Sequence, residues 1–125
     1  MLLYLDTASD IAKIKLFDNE GSFAKESILS SNLKLTDELL SKIDELLSGD
    51  LTVIDGLFIN SGEKSYTGMR IGTTTINFLG LALDLEPVEI ESEKEIVYSK
   101  RMKFAEPIIP TYKSAPFITT KRSRL

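Results

Sequence analysis

Apolar and polar positions fall into short runs punctuated by turn residues, and their period changes along the chain. Leu2-Leu3-Tyr4-Leu5 is a continuous apolar run ending at Asp6, the pattern of a short strand buried on both faces. Ile11 to Phe17 reads as a second strand, and the turn Asp18-Asn19-Glu20-Gly21 leads into a third, Ser22 to Leu29. The period then becomes helical. Thr36 is a candidate N-cap, Asp37 and Glu38 place negative charge in the first turn, and Gly49 supplies a stop. Between them Leu39, Leu40, Ile43, Leu46 and Leu47 form an apolar stripe. Val53 to Asn60 reads as a strand and Thr67 to Leu83 as a helix. That helix carries Gly68, Gly72 and Gly80 and is apolar on more than one side. A glycine costs about 1 kcal/mol in a helix, so three of them point to close packing. Pro87 to Ile90 is a further short strand. Ser92-Glu93-Lys94-Glu95 then fits a capping box opening a third helix through about Lys103. Beyond it Pro107, Pro110 and Pro116 favour an extended tail.

The order strand, strand, strand, helix, strand, helix, strand, helix is that of an α/β protein. Its five-stranded mixed sheet begins as an antiparallel meander and continues with parallel strands. Right-handed crossovers set the first two helices side by side on one sheet face, where their outer surfaces form an adjacent pair. The expected division is a lobe over residues 1–103 and a basic, Pro-containing tail over 104–125.

With 125 residues the chain is one domain. It has no Cys, no His and no Trp, which removes thiolate nucleophiles, Cys/His zinc sites and Ser-His-Asp triads. Any chemistry falls to Asp, Glu, Lys, Arg, Ser, Thr and Tyr. The longest apolar stretch, Phe78 to Leu83, is far below the ~20 residues of a spanning helix, so a soluble, cytoplasmic protein without membrane contact is expected. Net charge is −4 but uneven: residues 1–95 hold 8 basic and 18 acidic side chains, residues 96–125 hold 7 basic and 1 acidic. The tail is thus expected to meet an anionic surface, either nucleic acid or an acidic partner, unless it folds back on the chain's own acidic body.

The segment Ser61-Gly62-Glu63-Lys64-Ser65-Tyr66-Thr67-Gly68-Met69-Arg70-Ile71-Gly72 resembles the G-P-G-S-[FY]-T-G-[LM]-R-[IV]-G signature of the TsaB (YeaZ) family. Leu5-Asp6-Thr7 is similar to that family's opening L-D-T, Asp37 to Leu47 to its first helix, and Leu79 to Val88 to its A-x-A-L-x-x-P-[LV] stretch. Glu63 and Lys64 stand where the family has Pro and Gly. The resemblance extends to about residue 97. Pro110 to Thr119 resembles the P-x-Y-L-x-x-P-x-[IV]-T segment near the end of many TsaB chains, which implies a minimal form without the family's second lobe.

The resemblance implies an actin-like, RNase-H-type lobe and a non-catalytic scaffold role. TsaB proteins bind TsaD, which transfers threonylcarbamoyl to the adenosine beside the anticodon of certain tRNAs. The ATPase TsaE joins the assembly, and homodimers form through the same first two helices. The interface expected here comprises Leu39, Ile43 and Leu47 of the first helix with Met69, Thr73, Ile76 and Gly80 of the second. A contact of the basic tail with tRNA stays open beside its folding back. The signature turn comprises Ser65, Tyr66, Thr67, Gly68, Arg70 and Gly72, with Ser65 or Thr67 as helix cap rather than nucleophile, because no base activates a hydroxyl. Asp6 and Thr7 lie where actin-like ATPases place a first phosphate turn. All seven glycines lie at or before Gly80, so no second glycine-rich turn is at hand to cradle phosphates, and no cofactor is expected. The acidic run Glu86, Glu89, Glu91, Glu93 and Glu95 reads as solvated surface rather than a metal site. The rival reading is an enzyme, a small actin-like ATPase or a peptidase. A homodimer with another role is the third.

Overall fold

The computed structural model describes residues 1–7, 12–29, 35–60, 66–96 and 104–109, the side chains of 29, 35–37 and 66–69 excepted. Its elements are β1 (Leu2–Asp6), β2 (Ala12–Phe17), β3 (Phe23–Leu29), α1 (Leu35–Leu46), β4 (Gly56–Asn60), α2 (Tyr66–Leu83) and β5 (Pro87–Ile90). The five strands form one mixed sheet in the order β3-β2-β1-β4-β5. The meander is antiparallel, while β4 runs parallel to both β1 and β5.

Strand alternation divides the apolar side chains between two faces. On one face Leu3, Leu5, Ile14, Leu16, Leu57 and Ile59 pack under Leu39 and Ile43 of α1 and Ile76 and Leu79 of α2, all buried. Both helices therefore lie on the same side of the sheet, as right-handed crossovers require. The opposite face gathers Leu2, Tyr4, Phe17, Phe58 and Ile90, joined by Ile96. Phe17 and Phe23 meet edge to face with centroids 6.1 Å apart, next to a register shift between Leu16 and Phe17.

Both helices stop by left-handed residues. After α1, Ser48 and Gly49 have positive φ, and Gly49 N–H donates to Asp44 O while Ser48 N–H donates to Glu45 O, a Schellman arrangement. Lys25 of β3 adds a donor to the Leu46 carbonyl at 3.3 Å. After α2 the left-handed residue is Asp84, and Leu85 N–H donates to Gly80 O at 2.9 Å.

Three sequence expectations need correction. The helix expected to be capped by Thr36 already includes it, starting at Leu35. The strand expected from Val53 begins at Gly56, because Asp50 caps a 3₁₀ turn over Leu51–Val53 by accepting from Thr52 N–H at 3.0 Å. The Ser92/Glu95 capping box is present, yet the turn it opens is 3₁₀, Glu93–Glu95, so the sheet carries two α-helices among the described residues rather than three. The remainder of that expected helix, 97–103, lies outside the described residues. The described start of the tail, 104–109, is extended and held by hydrogen bonds. Phe104 N–H donates to Asp84 Oδ1 and Ala105 N–H to Glu86 Oε1, while the Asn77 amide both donates to and accepts from the Ile108 backbone, each bond 2.8 Å.

At two glycines of α2 the helix comes too close to its neighbours to admit a Cβ without adjustment. A Cβ at Gly72 would overlap Oγ1 of Thr7, and one at Gly80 would lie 2.6 Å from the Leu85 carbonyl oxygen and 3.1 Å from the Phe104 ring. Gly72→Ala and Gly80→Ala are each expected to lower stability by about 1–2 kcal/mol in urea titration, overpacking outweighing the gain in helix propensity. Thr74→Ala, on the exposed side of the same helix, is expected to raise it by about 0.5 kcal/mol.

Candidate functional site

The helix pair was the surface expected to meet a partner, and α2 decides which of its residues can do so. Its inward row is Gly72, Thr73, Ile76, Leu79 and Gly80, all buried against the sheet or the chain that follows. Thr75 is buried as well, its hydroxyl donating to the Ile71 carbonyl at 2.8 Å. The outward side presents Arg70, Thr74, Phe78, Leu81 and Ala82. Phe78 and Leu81 are 56% and 68% exposed, large apolar groups left in water by this chain's own packing. On α1, Leu40 is likewise exposed.

The residues expected at the interface are placed as follows. Leu39, Ile43 and Leu47 of the first helix and Thr73 and Ile76 of the second are buried in this chain, and Gly80 is packed beneath Leu85 and Phe104. These side chains serve this chain's own packing. The side chain of Met69 lies outside the described residues. The arrangement on α2 has a physical cause: close packing on the sheet selects small side chains, so two threonines and two glycines face in while Phe78 and Leu81 face out. On α1 the i, i+4, i+8 spacing of Leu39, Ile43 and Leu47 is simply the core-facing stripe.

Of the signature turn, Ser65 lies outside the described residues. Tyr66, Thr67 and Gly68 form the first turn of α2, Arg70 is exposed and Gly72 is buried against Thr7. The pairing of Gly72 with Thr7 gives the two matched motifs one physical reason: the residue after β1 fits only because α2 lacks a Cβ there. Thr7 is fully buried, and its Oγ1, like that of Thr73, has no hydrogen-bond partner among the described groups. A hydroxyl turned beneath a helix in this way is not presented to a phosphate or to the water shell of a cation.

On the sheet face opposite the helices, polar groups gather around Tyr4 and at the end of β4. Asn60 donates to the Tyr4 hydroxyl at 3.0 Å, and Lys15 pairs with Glu93 at 2.7 Å. Burial pushes the Tyr4 phenol up to about 12; Asn60 opposes the shift, and the Asp6 and Glu93 charges add to it. Tyr4 is thus held protonated and is no base at neutral pH. No group of three or more carboxylates that could hold a metal occurs among the described residues. The acidic run of the sequence is accordingly dispersed: Glu95 closes its capping box, Glu93 holds Lys15 and Glu86 holds the backbone at 105 and 106.

Because the folded Tyr4 binds its proton more tightly than an unfolded tyrosine, its contribution to stability is complete below pH 10 and is lost as pH rises toward 12. Denaturation at stepped pH is expected to show that loss, and Tyr4→Phe is expected to flatten the profile between these values.

No protein-family model and no curated protein matches the chain. Solved structures do. YeaZ from Pseudomonas aeruginosa superposes with a TM-score of 0.61 and 25% identity, over 71% of this chain and 42% of that one. An uncharacterized protein with similarity to peptidase YEAZ from Pseudomonas aeruginosa matches with a TM-score of 0.57 and 19% identity over the same shares. The chain therefore spans less than half the length of the proteins it matches. No described helix is long and apolar enough to cross a membrane. The five-stranded mixed sheet with two helices on one face is the YeaZ fold, present here as a partial, TsaB-like form.

Proposed function

We propose that the chain is a non-catalytic scaffold of the TsaB type, which binds a TsaD-like protein and supports formation of threonylcarbamoyladenosine in tRNA. The carrying observation is the exposed apolar pair Phe78 and Leu81 on the outward side of α2. Large apolar side chains in well-packed positions are what interfaces use as anchors, and a few of them supply most of the binding energy. Leu40 of the neighbouring helix extends the same kind of surface. The absence of His and Cys and the protonated Tyr4 support a role without turnover, against the peptidase reading suggested by one neighbour's description.

Phe78→Arg and Leu81→Arg are each expected to weaken binding to a TsaD-like protein from the same organism at least about tenfold and leave thermal stability within a few degrees of wild type. The same substitution at Ile76, inside the core, is expected to unfold the chain. In a reconstituted modification reaction the wild-type chain is expected to restore product formation where TsaB is omitted, and Leu81→Arg is not. Full activity of Leu81→Arg removes α2 from the interface.

A further inference from the structure

β5 is an edge strand, and beside it runs the segment 104–109. That segment is gripped by its main chain: Asp84 accepts from Phe104 N–H, Glu86 from the N–H groups of Ala105 and Glu106, and Asn77 binds both backbone groups of Ile108. Phe104 and Ile108 are half-buried, the first beside Gly80 and the second against the core, while Ala105, Glu106, Pro107 and Ile109 are exposed. Between the segment and β5 lies an open groove of about 580 Å³. Its walls combine apolar residues, among them Val88, Pro107 and Ile109, with three carboxylates, Glu86, Glu89 and Glu106, and no basic residue. Glu86 is already engaged with the 105–106 backbone. Glu89 and Glu106 are exposed, and among the described residues no cation pairs with either.

The sequence that continues from this groove has the complementary chemistry. Ile109 forms part of the wall, and residues 110–125 carry Lys113, Lys121, Arg122 and Arg124 with no Asp or Glu. Lys113 follows Ile109 by four residues, within roughly 13 Å of extended chain. The segment also contains the aromatic residues Tyr112 and Phe117. Attachment at Ile109 keeps the segment at high effective concentration over the groove, so even weak charge pairs suffice to seat it.

We propose that the groove along β5 is the docking site of the chain's own basic segment 110–125, with Lys113 against Glu89 and Glu106. The segment then neutralises the acidic body of its own chain, and RNA is not its resting partner. This inference stands apart from the scaffold role, since Phe78 and Leu81 are not part of the groove.

The test uses the full-length chain at low salt. Zero-length carbodiimide cross-linking followed by mass spectrometry is expected to join Lys113 to Glu89 or Glu106 within the monomer, with the yield falling at least about fivefold in about 0.5 M salt. Trypsin is expected to cut after Lys113 about fivefold faster in Glu89→Gln/Glu106→Gln than in wild type. Glu86 is left intact in this variant because it holds the 104–109 segment. Equal cleavage of the two proteins overturns the proposal, as do cross-links from Lys113 that go to other carboxylates. Protection of Lys113 that appears only on adding an RNA oligonucleotide also overturns it, and assigns the segment to nucleic acid instead.

Discussion

The closeness of α2 to its surroundings is the constraint from which most other features follow. At Gly72 the helix meets Thr7 with no room for a Cβ, and at Gly80 it meets the Leu85 carbonyl and the Phe104 ring. Contacts at two points two turns apart fix both the height of the helix above the sheet and its rotation about its own axis. Once Gly72, Thr73, Ile76, Leu79 and Gly80 face inward, Phe78 and Leu81 have nowhere to go but out. The same rotation brings Asn77 to the flank where the segment 104–109 is held. Core packing and the surface offered to a partner are thus two consequences of one geometry.

Much of the architecture is legible in the residues because local signals agree with one another. The continuous apolar run of β1 marks the strand buried on both faces, and the turn before Phe23 and the stop at Gly49 carry the residues their backbone demands. The crossover rule places both helices together. Where signals conflict, the sequence is a poor guide. Val53 looks like strand, but the Asp50 cap bends the chain into a 3₁₀ turn first. The capping box at Ser92 marks a helical start without fixing how far the helix runs.

Hydropathy does not show which side of α2 faces the sheet. A helix apolar on two sides gives no moment that separates inside from outside, and its tightest contacts use glycine and threonine rather than leucine. The missing information is tertiary: which side has room only for small groups. The seat of the 104–109 segment is invisible for a related reason. Asn77, Asp84 and Glu86 act on main-chain groups, so no pattern in the bound segment announces them. The chemistry, by contrast, narrows from composition alone, and the structure adds that the hydroxyl of Thr7 and the phenol of Tyr4 are held in unreactive settings.

The most direct test of the scaffold account is the mass of the complex in solution. Light scattering on this chain mixed with a TsaD-like protein from the same organism is predicted to give a single species containing both in equal number. Two separate species at micromolar concentration, each at the mass it has alone, would contradict the account and leave a YeaZ fold whose function has to be sought elsewhere.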